Sequence, residues 1–177
     1  MVLKKGDKVD EFSFTDHEGK SWDVPGDLGG ERMALFFLRH LGCPICMDKL
    51  DEINKKADAF QQSGTKLFAV VQSTPKRCAQ YAEKEGITFP LVPDREKNLY
   101  TMFDVRKGGL KEFTAPSAFV ATVKATLKGR MHGKFEGDEF QVPAAFVLGS
   151  DGEVLWAHYG RDVADFGDVE KALAASG

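Results

Sequence analysis

The chain has 177 residues, of which 42% are hydrophobic and 29% charged, and a net charge of −3. That is enough chain for one domain, residues 1–177, to bury a core without disulfide staples. The acidic balance excludes the broad basic face that nucleic acid demands, and no run of eighteen apolar residues offers a membrane-spanning helix, so neither nucleic acid nor a membrane is expected as a partner.

In chain order, 12–14 and 21–24 read as short strands joined by the turn chemistry of Asp16-His17-Glu18-Gly19, a small hairpin. A polar, Gly-rich connector covers 25–32. The run Met33-Ala-Leu-Phe-Phe-Leu38 has no polar alternation and suits a central strand covered on both faces. Gly42 permits a sharp turn, and Cys43-Pro44-Ile45-Cys46 opens a helix with Pro44 in its first turn. Met47, Leu50, Ile53, Ala57 and Phe60 continue that helix as one apolar stripe, closed by Gly64. Residues 66–72 form a second buried strand. Ser73 or Thr74 with Pro75 starts a helix over 75–85 that Gly86 ends. A short strand follows at 89–93 and a helical turn within 94–103.

The segment 107–141 carries Phe119, Val120, Val123 and Leu127 at helical spacing, and Lys124, Lys128, Arg130 and Lys134 make it locally basic. Such charge usually marks a solvated helix face; the sharper reading is a docking surface for an acidic partner protein. Strands at 144–148 and 153–158 then flank the turn Gly149-Ser-Asp-Gly152, and a helix over 165–174 turns Val169, Ala172 and Leu173 inward. Strands alternating with helices indicate an α/β protein with a parallel-rich sheet. There is no internal repeat and no low-complexity segment.

The chemistry sits at the first strand-to-helix junction. A cysteine at a helix N-terminus faces unpaired N–H groups and the positive end of the dipole, and both favour the nucleophilic thiolate. Cys43 and Cys46 share a helix face one turn apart, within reach of a disulfide. Three cysteines, two of them in CxxC, suit redox work in a reducing compartment, and the opening Met1-Val-Leu-Lys-Lys-Gly lacks a signal-peptide core, so a cytoplasmic location is expected. Arg39 and His40 add positive charge just upstream. Arg39 reads either as a thiolate-stabilising group or as a surface ion pair. His40 reads either as a tuner of cysteine ionisation and proton shuttle or as a structural histidine. A metal centre of His40, Cys43 and Cys46 lacks a fourth ligand, and no cofactor is implied. Cys78 is a bystander unless it serves as a second resolving thiol.

The stretches GDKVDEFSFTDHEG (6–19), FFLRHLGCPIC (36–46), AVVQSTPK (69–76), YAEKEGITFPLVPD (81–94) and AFVLGSDGEV (145–154) resemble, in this order, the peroxiredoxin branch of the thioredoxin-like superfamily, the alkyl hydroperoxide reductase/thiol-specific antioxidant group. The resemblance covers nearly the whole chain and is narrowest to a subgroup carrying CxxC. It implies a thioredoxin-like fold: a central mixed sheet flanked by helices, with an N-terminal β-hairpin. It also implies a thiol-dependent peroxidase restored by a thioredoxin-like or small-thiol reductant, in a fold that often forms homodimers.

Details depart from the family pattern. Pro-x-x-x-Thr-x-x-Cys, laid on this sequence without a gap, puts the peroxidatic Cys on Cys46, the Thr on Cys43 and the Pro on Arg39. The arginine that peroxiredoxins carry before the late strand falls at Pro143, where thioredoxins hold a cis-proline beside the disulfide; Pro143 is therefore expected to be cis and near the sulfurs. Gln141 and Arg161 are expected to approach from the late loops, Arg161 in place of the missing arginine, while Arg39 is a candidate to orient a peroxide oxygen. Thioredoxin logic makes Cys43 the nucleophile, and the peroxiredoxin frame makes it Cys46; the balance falls to Cys43 as the more exposed thiol. The functional alternatives are a peroxidase, a thiol–disulfide oxidoreductase using the same pair, and a non-catalytic binding module on the same scaffold.

Overall fold

The unbroken apolar run ahead of the CxxC takes the middle of a sheet. In a computed structural model that describes residues 2–133 and 137–177, Arg32–Phe37 (β3) pairs with Thr65–Val71 (β4) in parallel and with Ala144–Leu148 (β6) in antiparallel. Leu91–Pro93 (β5) lies parallel beyond β4, and Val154–Tyr159 (β7) lies antiparallel beyond β6. The five-stranded order is β5-β4-β3-β6-β7. A separate hairpin of Phe12–Thr15 (β1) and Ser21–Val24 (β2) precedes it. This is the expected mixed sheet with an N-terminal hairpin.

Both faces of β3 are covered, which is why its sequence does not alternate. Ala34, Phe36 and Leu38 point to one core with Leu50, Ile53, Phe60, Cys78 and Tyr81. Met33, Leu35 and Phe37 point to the other with Phe68, Tyr100, Phe103 and Phe146. Each fully buried leucine, isoleucine, phenylalanine or methionine among them contributes roughly 1.5–3 kcal/mol. Phe37 meets Tyr100 and Phe146 edge-on, with ring centroids 5.2 and 5.7 Å away. The Tyr100 hydroxyl donates to the carbonyls of Leu38 and, at 3.0 Å, Val70, tying the C-terminal ends of β3 and β4 together beneath the CxxC turn.

The helix expected from Cys43 through Phe60 is two helices, Pro44–Asn54 (α1) and Ala57–Gln62 (α2). Lys56 N–H bonds back only to Ile53, at 2.9 Å; this tightened turn re-aims the axis while Leu50, Ile53, Ala57 and Phe60 stay buried on one core. Pro75–Glu85 (α3) matches expectation, with Gly86 at φ 64° closing it. Asn98–Met102 (α4) follows the acidic staple Asp94, whose carboxylate accepts from the Asn98 and Leu99 N–H groups at 2.9 and 2.8 Å. Leu110–Phe113 (α5) and Pro116–Leu127 (α6) occupy the segment that was least legible. Lys134, counted above among the basic residues of that segment, lies outside the described residues.

The last helix, Val169–Ala175 (α7), begins four residues later than expected, because Gly167 turns at φ 79° and Asp168 caps the new start, accepting from Glu170 N–H at 2.9 Å. β5 is likewise shorter than 89–93. Among the described residues no helix is long and apolar enough to cross a membrane.

Candidate active site

The chain leaves β3 at Leu38, and Arg39 to Cys46 stand above the C-terminal edge of the parallel strands, where α/β sheets place their ligands. Cys43 occupies the N-cap of α1, extended at φ −84° and ψ 119°, and Pro44 follows at the first helical position. The Cys43 Sγ accepts from the Cys46 backbone N–H at 3.4 Å, so the sulfur sits where an N-cap oxygen ordinarily would.

Arg39 is buried, at 3% exposure, so the surface ion-pair reading does not hold. Its Nη2 donates to the Cys43 Sγ at 2.8 Å. Its Nη1 donates to the Glu139 carbonyl at 2.7 Å and lies 3.6 Å from the Glu139 carboxylate. Its Nε is buried with no hydrogen-bond partner among the described residues, an unmet donor beside the sulfurs.

His40 is fully buried. Its Nδ1 accepts from the Gly42 N–H at 3.1 Å, so the ring proton rests on Nε2, which donates to Glu139 Oε1 at 2.6 Å. The imidazole thus holds the turn and the carboxylate. His132 Nε2 stands 3.7 Å from the same Oε1. The ligand atoms of His40, His132 and Glu139 lie within 4.8 Å of one another. They do not fit a metal: with Nδ1 accepting a backbone N–H, a cation on Nε2 would require an imidazole stripped of both protons.

Cys43 and Cys46 are equally inaccessible, at 0% exposure each, so Cys43 is not the more exposed thiol. The segment after α6 closes over the turn, with Gly133 N–H donating to the Gly42 carbonyl at 2.8 Å. The two thiols ionise as a coupled pair. For Cys43, burial, the hydrogen bond to Cys46 and the neighbouring sulfur's charge push the thiol well up. Burial also opposes ionisation of Cys46, but the Cys43 hydrogen bond, the Arg39 charge and the Arg39 N–H outweigh it and bring Cys46 down to about 6. The guanidinium donates to the Cys43 sulfur, and Cys43 and the Arg39 charge together favour the Cys46 thiolate.

Pro143 is buried at the start of β6, and Val142–Pro143 is trans; among the described residues the one cis bond is Val24–Pro25. The Pro143 carbonyl accepts the Gly160 N–H at 2.9 Å and Val142 N–H reaches the Arg106 carbonyl at 3.4 Å, which holds this stretch extended into the strand. The Gln141 amide donates to the carbonyls of Val105 and Arg106, at 3.1 and 2.8 Å, pinning a loop rather than facing the sulfurs. Arg161 is 88% exposed and paired with Asp165, so the guanidinium at the site is that of Arg39. Cys78 is on the buried face of α3. Glu139 was missed. A buried Arg–His pair needs a carboxylate, but nothing in the sequence distinguishes Glu139 from the other acids of 107–141.

Beside Arg39, Pro44 and Ile45 opens a groove of about 570 Å³, walled by Phe113, Ala118, Phe119 and Val163 and ending at His132 and Glu139.

Residues 5–157 match the model of the AhpC/TSA family. Among curated proteins, the chain is 25% identical over 103 residues to peroxiredoxin Bcp of Escherichia coli K12, covering 58% of this chain and 65% of that protein; the match thus spans just under two thirds of this relative. It is 30% identical over 173 residues to the prostamide/prostaglandin F synthase of Salmo salar, covering 89% of this chain and 82% of that protein. Among solved structures, peroxidoxin BcpB of Mycobacterium tuberculosis superposes with a TM-score of 0.72 at 20% identity, covering 98% and 96% of the two chains, a likeness of fold.

Proposed function

This chain belongs to the AhpC/TSA family, and from that premise we propose that it is a thiol-dependent peroxidase in which Cys46 attacks and Cys43 resolves. The observation that carries this reading is the buried Arg39 guanidinium, which donates to the Cys43 sulfur at 2.8 Å and whose charge helps bring the Cys46 thiol down to about 6. The Cys46 thiolate attacks one peroxide oxygen and the O–O bond breaks, giving Cys46–SOH and an alkoxide or hydroxide. The unpartnered Arg39 Nε supplies a charged donor for that leaving oxygen. The Cys43 thiol yields its proton to the leaving group. Its thiolate then displaces hydroxide from Cys46–SOH and forms the disulfide. A thioredoxin-like or small-thiol reductant returns both thiols, which fits the reducing cytoplasm proposed as its location.

Disulfide exchange through the same CxxC is the second reading. Two fully buried sulfurs favour a small peroxide over a bulky disulfide, and a trans Pro143 removes one support that reading had. Stopped-flow oxidation by hydrogen peroxide, followed by Trp22 and Trp156 fluorescence, separates the cases. Cys43→Ser is expected to react fast and halt at the sulfenic acid, while Cys46→Ser falls to the rate of a free thiol. The reverse pattern would exchange the two roles. If the parent protein also reacts no faster than a free thiol, the peroxidase reading fails and disulfide exchange takes its place.

A further inference from the structure

Seven of the eight large hydrophobic side chains exposed among the described residues fall between 110 and 131. On α6 the burial is inverted. Ala118 and Ala125 turn inward, whereas Phe119, Val120, Val123 and Leu127 stand 73%, 64%, 43% and 84% exposed. At 100° per residue these four share one stripe, with Lys124 and Lys128 along its border. Leu110 on α5 and Met131 just beyond α6 are also exposed, at 69% and 77%. The only carboxylate on α5 and α6, Glu112, is engaged by Arg106 and the Gly109 N–H. Lys111 and Lys124 are exposed and make no ion pair among the described residues. An exposed apolar stripe with Lys124 unpaired at its border among the described residues, Lys128 being held by Asp48 at 2.6 Å, in a chain of net charge −3, presents the apolar face and flanking cation that an interfacial helix uses.

We propose that the α5–α6 face docks on an anionic lipid bilayer, with Phe119, Val120, Val123 and Leu127 in the acyl boundary and Lys111 and Lys124 among the headgroups. A second copy fits less well, because among the described residues α5 and α6 carry no free carboxylate to meet those lysines across a two-fold interface. An acidic protein would pair with the cations, but among the described residues the face offers it only two unpaired charges beside the exposed apolar side chains of α6, where a fluid bilayer conforms. Surface docking needs no spanning helix. The stripe borders the groove beside Arg39 through Phe119.

The test is co-sedimentation of the full chain with vesicles of phosphatidylcholine alone and of phosphatidylcholine mixed with phosphatidylglycerol. Binding is expected to the mixed vesicles, weakening as salt is raised. Lys111→Gln with Lys124→Gln is expected to weaken it by about thirtyfold, and Val120→Glu or Leu127→Glu to abolish it. Val120 and Leu127 do not line the groove, so both variants should keep the far-ultraviolet circular dichroism and peroxide reactivity of the parent. Binding requires neither sulfur, so Cys43→Ser and Cys46→Ser should sediment as the parent does, which separates this result from the fate of the peroxidase reading. The proposal is overturned by no sedimentation with either vesicle, or by sedimentation indifferent to Val120→Glu and Leu127→Glu. Concentration-dependent self-association abolished by Leu127→Glu, without vesicle binding, would assign the face to a second copy instead. Capture by polyglutamate without vesicle binding would assign it to an acidic protein.

Discussion

Helices α1 and α6 both begin on a proline and pack against each other, yet they bury opposite kinds of residue. α1 lies on the sheet and sends Leu50 and Ile53 into the core at 0% exposure, with Asp48, Lys49, Asp51 and Glu52 outside it. α6 touches the body through Ala118 and Ala125 and carries its large apolar residues outward. A helix against a wide sheet gains by burying bulk. A helix resting on another helix through small residues can approach closely and still leave a broad stripe for something else. The difference teaches that an apolar stripe at helical spacing identifies a helix face, while its orientation depends on what the helix rests against.

That contrast can be broken by mutation. The largest effect is expected from Leu50→Ala, which opens a cavity beneath α1 and should lower the urea-unfolding free energy by about 2–5 kcal/mol. A loss below about 0.5 kcal/mol would mean that α1 is no better anchored than α6. Arg39→Met, at the head of α1, removes the charge that holds Cys46 down. Alkylation by iodoacetamide across pH should show the midpoint move up from about 6 toward the ordinary thiol value of about 8.5. An unmoved midpoint would sever Arg39 from the sulfur chemistry.

The pH dependence of stability follows from the same pair. The folded Cys46 value, about 6, lies below its unfolded value, so its contribution is complete above the unfolded value and is lost as pH falls through about 6. Cys43 is raised by burial, so above the unfolded thiol value the unfolded chain ionises there while the folded one does not, and stability declines again. Stability of the reduced protein is expected to climb from pH about 6 toward the thiol range and then fall, and Cys46→Ser should flatten the rising limb. The smallest effect is Leu127→Ala on the exposed face of α6, within about 0.5 kcal/mol by the same urea measurement.

Much of the fold was legible because its signals are local. The apolar run before Gly42, Pro44 after a cysteine N-cap, and Gly86 after α3 each act on their own neighbours, and each element is where they place it. The break at Lys55–Lys56 was not legible, because the apolar stripe continues across it without interruption. The trans Pro143 was not legible either: its expected geometry came from a likeness of position, whereas the bond has the ordinary X–Pro form.

By itself, the sequence determined the strand, turn and helix that hold Cys43 and Cys46 together, and the chemistry two sulfurs at a helix N-terminus can perform. These depend on spacings of a few residues, which propensity and geometry settle locally. Only the tertiary structure decided that Glu139, a hundred positions from Arg39, closes on Arg39 and His40, that both thiols are fully buried, and that α6 turns its bulky side outward. Such contacts join distant segments, and their partners are chosen by how the whole core packs.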